Sequence, residues 1–323
     1  MIITKTPFRV SFTGGGTDMA DYYANHGGGA VVSTSIDKYM YITVNPKFDN
    51  KIRISYSQTE IVDTVDELKH EIGKAALKMA GIRGGIEITS IADVPAGTGL
   101  GSSSTFTVGL LNALFTYAGR VLSPAEMADR ACQIEIDILG HPIGKQDQYA
   151  AAFGGLNHFA FNPDGSVTRT QIVLNDSDSR KMSQKLMFFY TGITRSADNI
   201  LSEQKSNIAD KSLIMGYMRA QANTMRDTLI NDGFTEDFGL MLREGWQYKK
   251  NLATHITDPQ ISECYEKALE AGAVGGKLLG AGGGGFLLFY CDEWNQPKVE
   301  QAIGLRRVDF GFSRSGSRVI FAD

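Results

Sequence analysis

Val94-Pro-Ala-Gly-Thr-Gly-Leu-Gly-Ser-Ser-Ser-Thr105 is the most informative segment of the chain, because it joins two regular patterns. Residues 86–91 before it largely alternate apolar and polar side chains and predict a β-strand. Residues 106–117 after it are rich in Leu, Ala, Phe and Val and predict a buried helix. The stretch is therefore a glycine-rich turn that leads from a strand into a helix.

The glycines and serines of this turn predict a phosphate-binding loop. Gly97, Gly99 and Gly101 stand at alternate positions, and glycine lets the backbone adopt positive φ and approach a ligand closely. Serines 102–104 stand where a helix N-cap is expected. Free N–H groups at a helix N-terminus point at one place, and the helix dipole favours negative charge there. The alternative is a loop that only turns tightly and caps the helix.

Two widespread phosphate-binding motifs do not fit this turn. The P-loop of ATPases requires a Lys and a Ser or Thr after its last glycine, and no Lys occurs here. The dinucleotide-binding fingerprint requires Gly at its sixth position, which Ser102 occupies. If the turn binds phosphate, it belongs to another class of loop.

Composition and charge narrow the class of protein. The chain has 323 residues, 42% of them hydrophobic and 21% charged, as expected for one large or two moderate globular domains. A net charge of −4 without a dense basic block argues against nucleic acid as the main partner. Three distant cysteines without a CxxC motif fit a reducing compartment. The sequence shows no apolar leader and no apolar run of about 18 residues, so we expect a cytoplasmic protein without a membrane partner.

Two further glycine clusters lie nearer the two ends of the chain. Thr13-Gly-Gly-Gly-Thr-Asp18 follows the predicted strand 1–13, and Asp18 is either a helix cap or a functional carboxylate. Residues 277–290 read as a strand, a four-glycine turn and a second strand. Gly280 to Gly285 formally match G-x-G-x-x-G, but a strand follows where a dinucleotide site needs a helix. We therefore expect a hairpin whose tip approaches another part of the molecule.

The helix that starts at Ser123-Pro-Ala-Glu126 carries a carboxylate on its apolar side. Ser123 and Glu126 form a capping box, with Pro at the first helical position, and the helix is predicted to run to Leu139. Helical spacing places Glu135 in an apolar stripe with Ala128, Ala131, Cys132, Ile138 and Leu139. A carboxylate there should be paired, hydrogen-bonded or bound to a metal. The alternative is a rotated helix with Glu135 at the edge of the stripe.

The remaining pattern predicts an α+β protein in two lobes. Strands are expected at 30–44, 52–56, 156–161 and 186–190, and helices at 19–25, at 66–80 and over most of 197–271. Polar residues cluster at 175–179. These features predict a first domain at 1–175 and a second at 176–323.

Three glycine motifs occur in order: Pro7-Phe-Arg-Val-Ser-Phe-Thr-Gly-Gly-Gly-Thr-Asp18, Pro95-Ala-Gly-Thr-Gly-Leu-Gly-Ser-Ser-Ser104 and Leu279-Gly-Ala-Gly-Gly-Gly-Gly285. Together they resemble the GHMP kinases, which include galactokinase, homoserine kinase and mevalonate kinase. The resemblance implies a first lobe with a mixed sheet and helices, and a second lobe with helices packed on an antiparallel sheet. It also implies ATP and Mg²⁺ as cofactors.

Within these kinases, four segments look most like the D-glycero-D-manno-heptose 7-phosphate kinases. The segments are the Thr-Pro-Phe-Arg start, the Gly-Gly-Gly-Thr-Asp turn, Gly144-Lys-Gln-Asp-Gln-Tyr149 and Thr191-Gly-Ile-Thr-Arg195. Those enzymes phosphorylate the anomeric hydroxyl of the sugar phosphate on the route to GDP-heptose. The alternatives are another sugar-1-kinase, such as a fucokinase, and a non-catalytic sensor of sugar and ATP.

The resemblance assigns roles to matching positions. It implies that Asp147 is the catalytic residue with Arg9 beside it, and that Glu135 and Ser103 hold magnesium. The residues implied to bind the nucleotide are Pro95, Ala96, Gly97, Thr98, Gly99, Leu100, Gly101, Ser102, Ser103 and Ser104. The residues implied to bind the sugar phosphate are Gly15, Gly16, Thr17, Asp18, Lys145, Thr194, Arg195, Gly283 and Gly284.

The chain departs from the galactokinases in its first glycine motif, and the roles of two basic residues are left with alternatives. Galactokinases carry Glu-His where this chain has Gly15-Gly16, which argues against galactose and leaves more room at the sugar. Lys145 and Arg195 could reach the second phosphate of the substrate, or they could be solvated surface charges. As partners we expect a sugar phosphate and ATP, and as oligomeric state a monomer or homodimer.

Overall fold

A computed structural model of the chain describes residues 1–194 and 197–323. One predicted substrate-binding residue, Arg195, lies outside these ranges. In the described residues a first sheet runs in the order β12-β1-β2-β5-β3-β4, with β6 added beside β2 and β7 beside β6. Its strands are β1 (Ile2–Thr13), β2 (Gly29–Pro46), β3 (Ile52–Ser55), β4 (Thr59–Val62), β5 (Ile86–Ala92), β6 (Leu156–Phe161), β7 (Val167–Gln171) and β12 (Arg318–Ala322).

The long strand β2 organises this sheet. It pairs with β1 along most of its length, with β6 over its first part and with β5 over its last part, all antiparallel. Strand β3 pairs with β5 in parallel, so the sheet is mixed, as predicted. Small residues at Gly29 and Ala30 let the start of β2 lie against the first glycine turn, where the Thr17 hydroxyl binds both backbone groups of Ala30.

The described residues of the first lobe also form five α-helices. They are α1 (Ala20–Tyr23), α2 (Glu71–Ala80), α3 (Ser102–Tyr117), α4 (Pro124–Cys132) and α5 (Gln146–Phe153). The central helix α3 packs on β1 and β2 with almost every residue buried. Gly109 permits this close approach, because a Cβ there would lie 2.7 Å from the Thr6 hydroxyl oxygen. The predicted buried helix is therefore confirmed.

Two predicted helices differ in detail from the structure. The segment 66–80 is a short 3₁₀ turn at Val65–Glu67, followed by α2, which begins at Glu71. The helix after the confirmed capping box continues past α4 as a π-helical segment, Gln133–Ile138. The wider π turn changes which residues face inward. As a result Ile134 is buried and Ile138 is 54% exposed, so the predicted place of Ile138 in the apolar stripe is wrong.

The second sheet is antiparallel throughout, in the order β11-β8-β10-β9. Its strands are β8 (Leu186–Tyr190), β9 (Ala273–Leu278), β10 (Phe286–Cys291) and β11 (Arg306–Arg307). The helices that follow the first lobe are α6 (Asp176–Lys185), α7 (Asp198–Ser206), α8 (Ile208–Asn231), α9 (Glu236–Lys250), α10 (Pro259–Glu270) and α11 (Gln296–Ile303). Both predicted lobe architectures are confirmed.

Two helices join the sheets. Helix α9 packs on β9 and β10 and also contacts β1, while α8 lies against β1, β2 and α9. The Phe238 ring of α9 meets the Phe12 ring of β1 edge-on at 4.9 Å. Strand β12 returns to pair with β1, so the predicted second domain, 176–323, does not coincide with the second sheet. The described residues include no helix with the length and apolar character needed to cross a membrane.

Candidate active site

A cavity of about 930 Å³ lies where the glycine turns of the two lobes converge. One end is bounded by the phosphate loop and the side chains of Tyr56, His70 and Phe106. The other end is bounded by the first glycine turn, the start of α5 and residues of α7, α8 and α9. Residues of both lobes therefore line one continuous cavity.

Arg9 and Asp147 form an ion pair on the cavity wall. The Arg9 Nε and Nη2 atoms donate to the two Asp147 carboxylate oxygens, each at 2.7 Å, and Nη1 donates to the Gly99 carbonyl at 2.6 Å. Such a bidentate pair fixes both side chains in one geometry. Arg9 is 4% exposed, while the Asp147 side chain is 23% exposed toward the cavity. The structure thus brings together the two residues predicted to act in catalysis.

The phosphate loop presents its backbone to the cavity. Gly97, Gly99 and Gly101 have φ of 74°, 78° and 77°, which an L side chain adopts rarely. Gly101 is the N-cap of α3, so the serines occupy its first turn, and the prediction that a serine caps the helix is wrong. N–H groups of a first helical turn have no partner within the helix. Those of residues 102–104 are therefore available to an anion.

Two residues of the predicted nucleotide-binding loop are buried and stabilise the loop without lining the cavity. Thr98 is fully buried, and its hydroxyl donates to the Pro95 carbonyl at 2.9 Å. Leu100 is 2% exposed, and its carbonyl accepts from the Arg9 N–H. The other predicted nucleotide residues, Pro95, Ala96, Gly97, Gly99, Gly101, Ser102, Ser103 and Ser104, line the cavity.

The four-glycine hairpin tip approaches the phosphate loop. A Cβ on Gly280 would lie 2.3 Å from the Gly99 Cα, so only glycine fits at this backbone crossing. Gly280 and Ala281 line the cavity. The structure does not bring Gly283 and Gly284 there. They pack against the backbones of Ile256 and Ile193.

Glu135, on the π-helical segment Gln133–Ile138, is fully buried and contacts the first turn of α3 beside the phosphate loop. Its Oε1 atom accepts from the Ser103 hydroxyl at 2.5 Å, and Oε2 accepts from Gln148 Nε2 at 2.8 Å. Burial raises the pKa of the Glu135 carboxyl above its usual range, against the lowering effect of these hydrogen bonds. The expectation of a buried, hydrogen-bonded carboxylate is confirmed. The alternative with Glu135 at the helix edge is wrong.

This pair of residues fits a magnesium ion that is held mainly by phosphates. Mg²⁺ prefers oxygen ligands and is commonly bound by one or two carboxylates together with substrate phosphates and water. Glu135 and Ser103 would supply a carboxylate and a hydroxyl beside the phosphate loop. In the described residues, no three His, Cys, Asp or Glu side chains cluster into a metal site of their own. A metal here would depend on the nucleotide for its remaining ligands.

Asp18 sits at the other end of the cavity, 1% exposed. Its Oδ1 accepts from the Gly16 N–H at 2.8 Å and from Gln146 Nε2 at 3.2 Å, and its Oδ2 accepts from the Gln146 N–H at 3.1 Å. Burial raises the pKa of the Asp18 carboxyl, and the nearby charge of Asp147 adds to the shift. Asp18 does not cap α1, whose N-cap, Met19, makes no side-chain capping bond, so the interpretation of Asp18 as a helix cap is wrong.

Other predicted substrate residues divide into two groups. Gly15 and Gly16 line the cavity next to Asp18. Thr17 is fully buried, and its hydroxyl forms hydrogen bonds with backbone groups of Gly14 and Ala30. Thr194 is exposed and does not line the cavity.

Lys145 points away from the cavity. Its Nζ donates to the Gly165 carbonyl at 2.7 Å and lies 5.5 Å from the centre of the Tyr23 ring. The reason is local, because Lys145 is the residue before α5, a helix that the sequence pattern does not predict. Gln146 and Asp147, the first two residues of α5, line the cavity, whereas Lys145 does not.

Sequence reasoning missed several cavity residues. Lys249 at the end of α9 and Lys277 on β9 are 7% and 6% exposed and line the cavity. Burial lowers the pKa of Lys277 to about 7, with the Arg9 charge as the second cause. Burial, Lys277 and Arg9 hold the pKa of Lys249 well below its usual range. The position of Lys277 directly before the third glycine motif is the one sequence signal that could have found it.

Two polar atoms near Asp18 lack a partner among the described residues. They are the Ser11 hydroxyl and the Gln146 side-chain oxygen, both buried. Both lie within 4 Å of the place where a Gly15 Cβ would stand. Buried polar atoms of this kind are normally satisfied, so this end of the cavity is suited to a ligand rich in hydroxyl groups.

Comparison with known proteins finds sugar kinases and mevalonate kinases among the relatives of the chain. Residues 60–155 match the GHMP kinases N terminal domain and residues 227–306 match the GHMP kinases C terminal domain, which together span more than half of the chain. The D-glycero-alpha-D-manno-heptose 7-phosphate kinase of Campylobacter jejuni is 29% identical over 98% of this chain and 97% of its own.

Two other relatives differ in how much they cover. The L-fucokinase/L-fucose-1-P guanylyltransferase of Bacteroides fragilis is 30% identical over 88% of this chain, but the match spans 34% of that longer protein. The crystal structure of a D-glycero-D-manno-heptose 1-phosphate kinase from Bacteroides thetaiotaomicron matches all of both chains with a TM-score of 0.82. Its identity of 24% shows the fold alone.

Proposed function

The chain belongs to the GHMP kinases, and on this premise we propose that it is an ATP-dependent sugar kinase. We infer that it transfers the γ-phosphoryl group of ATP to the anomeric O1 hydroxyl of D-glycero-D-manno-heptose 7-phosphate. The product would be the 1,7-bisphosphate, a precursor of GDP-heptose for surface polysaccharides. The likeness to the Campylobacter jejuni enzyme along nearly the whole of both chains supports this substrate.

One observation carries the proposal of phosphoryl transfer. The Asp147–Arg9 ion pair lies against Gly101, the last glycine of the phosphate loop and the N-cap of α3. A Cβ on Gly101 would stand 3.2 Å from Asp147 Oδ2. A carboxylate in this place can accept the proton of an acceptor hydroxyl while that oxygen attacks the γ-phosphorus. The bond between the γ-phosphorus and the β–γ bridging oxygen breaks, and ADP leaves with that oxygen.

The other residues position the two substrates. First-turn N–H groups at 102–104 would hold phosphate oxygens, and the rings of Tyr56, His70 and Phe106 offer apolar surface for adenine. Asp18, Gln146 and Ser11 would bind sugar hydroxyls at the opposite end. Mg²⁺ held by Ser103 and Glu135 would neutralise phosphate charge when bound. Arg9 keeps Asp147 in one orientation and can meet the transferred group.

An ADP-release screen over sugars and sugar phosphates tests this function. With Mg²⁺ and ATP present, we expect the highest kcat/KM with D-glycero-D-manno-heptose 7-phosphate, and a product phosphorylated at C1 by ³¹P NMR. A preference for fucose or another unphosphorylated sugar would replace the proposed substrate and keep the kinase. Sugar and ATP binding without turnover would favour a sensor.

A further inference from the structure

Two buried lysines on one wall of the cavity have no carboxylate partner in the described parts of the chain. Lys249 Nζ donates to the carbonyls of Leu278, at 3.1 Å, and Gly280. Lys277 Nζ donates to the Phe12 carbonyl at 2.8 Å. Arg9, the third buried cation nearby, differs because it is neutralised by Asp147. The two ammonium groups are held only by backbone oxygens.

These contacts leave hydrogen-bond donors unused. An ammonium group has three N–H donors. Two are engaged at Lys249 and one at Lys277, so one donor of the first and two of the second are free among the described residues. Both side chains also line the cavity. A buried cation without a counter-charge is costly, and an anionic ligand entering the cavity would remove that cost.

The lysines stand close to the point where phosphoryl transfer would occur. Lys277 is tied to Phe12 on β1, the strand that also carries Arg9 and Ser11. Lys249 is tied to Gly280, whose backbone touches Gly99 of the phosphate loop. The second lobe therefore brings two basic side chains, which an anion would favour in their charged form, to a place bounded by Arg9, Asp147 and the loop.

We propose that Lys249 and Lys277 form a phosphoryl-binding site that is separate from the first turn of α3. Its ligand is a phosphoryl dianion, supplied either by the γ-phosphate of ATP or by the phosphate that the acceptor already carries. This inference deepens the proposed function and rests on it for the second source. It replaces Lys145, which does not line the cavity and donates to the Gly165 carbonyl, as the expected contact to a second phosphate.

Calorimetry with inorganic phosphate tests the site without turnover. The full-length protein is first saturated with Mg²⁺ and ADP, so that the phosphate loop is occupied. We expect Lys249→Met and Lys277→Met each to weaken phosphate binding by about 10- to 100-fold, as for loss of a charge-assisted hydrogen bond. Lys277→Arg keeps the charge and should retain most of the affinity.

The neighbouring Lys250 supplies a matched control. Its Nζ lies 6.0 Å from the centre of the Trp246 ring, and the residue does not line the cavity. Lys250→Met makes the same substitution as Lys249→Met on the same helix and should bind phosphate like the wild type. Circular dichroism and melting temperature verify that each variant is folded. Wild-type phosphate affinity in folded Lys249→Met and Lys277→Met would overturn the proposal and show that the lysines only pin backbone carbonyls.

Kinetics with a phosphorylated acceptor and its unphosphorylated counterpart separate the two sources. If the lysines hold the acceptor's phosphate, the variants raise KM for the phosphorylated sugar alone. If they hold the γ-phosphate, kcat falls with both acceptors and ADP affinity stays unchanged. If neither sugar is phosphorylated by the wild type, the proposed function fails while the phosphate titration still decides the lysine site. Unchanged kinetics with both acceptors would count against the proposal.

Discussion

The two walls of the cavity treat their charges differently. On the wall built by the first lobe, three carboxylates have partners within the protein: Asp147 pairs with Arg9, Glu135 accepts from Ser103 and Gln148, and Asp18 accepts from the Gly16 N–H and Gln146. On the wall built by the second lobe, Lys249 and Lys277 meet backbone carbonyls and, among the described residues, no carboxylate.

This difference indicates which groups of the site are held in position before a ligand binds. Groups held by internal partners keep their orientation in the empty cavity, and preorganised groups are the ones that lower a barrier most effectively. Groups whose counter-charge must come from outside respond to the ligand instead. We infer that the first wall positions the reacting oxygen and that the second wall senses phosphate charge.

Removing the proton acceptor of the first wall should have the largest effect. We expect Asp147→Asn to lower kcat by about 10²–10⁴-fold, as for loss of a positioned acid–base group. The amide still accepts one hydrogen bond from Arg9, so binding of a non-hydrolysable ATP analogue should be retained. Stopped-flow ADP release and calorimetry measure the two quantities. Turnover within a few-fold of wild type would remove Asp147 from the mechanism and make the first wall structural.

Displacing Asp18 without changing its charge probes the acceptor end of the first wall. A Cβ on Gly144 would stand 2.0 Å from Asp18 Oδ2 and 2.8 Å from the Asp18 carbonyl carbon. Gly144→Ala must therefore shift this carboxylate, and we expect KM for the sugar to rise by about 10- to 100-fold while KM for ATP stays near wild type.

Gly216→Ala is the control for the change from glycine to alanine. The nearest atom to a Cβ at Gly216 is the Tyr22 hydroxyl at 3.8 Å, so this substitution in α8 has room. It should leave both KM values unchanged. Equal effects of the two substitutions would mean that Asp18 does not bind the sugar.

Local features of the site could be predicted from the sequence, because neighbouring residues determine them. The turn from β5 into α3 follows from three glycines between a strand pattern and a helix pattern. The capping box at Ser123 and Glu126 sets the start of α4, and helical spacing then buries Glu135. The family resemblance added the pairing of Arg9 with Asp147, which lie 138 residues apart.

Long-range contacts and side-chain direction could not be predicted in the same way. Lys249 lies in the last turn of α9, where a lysine is expected to be solvated. It is buried only because α9 packs between two sheets. Runs of glycine are equally ambiguous. Gly280 meets the phosphate loop while Gly283 and Gly284 pack against Ile256 and Ile193, a difference that depends on which strands pair and not on composition.

The metal site of the first wall gives a smaller effect. We expect Glu135→Gln to raise the Mg²⁺ concentration for half-maximal activity by about tenfold or more. Because burial raises the pKa of the Glu135 carboxyl, its charge is less favourable in the folded protein than in the unfolded chain, so the metal-free variant should be no less stable than wild type. A magnesium titration of initial rates and a melting curve in EDTA measure both. A destabilised variant with an unchanged magnesium requirement would show that Glu135 is structural.

The smallest effect concerns the second wall and sharpens the comparison through the pH dependence of stability. The pKa of Lys277 is lowered to about 7 in the folded protein, from an ordinary value of 10.5. Between these values the unfolded chain holds a proton that the folded chain has released, so the stability of the folded protein rises with pH. Lys277→Met lacks this group. From about pH 7 to pH 8, we expect the free energy of unfolding of the wild type to gain about 1 kcal/mol relative to Lys277→Met. Urea titrations of both proteins measure the difference, with Lys250→Met as the control that should follow the wild type.

Saturation with inorganic phosphate should reduce the gain, because an anion beside Lys277 favours its charged form. A gain that is the same with and without phosphate would mean that the two walls do not differ in their need for a ligand.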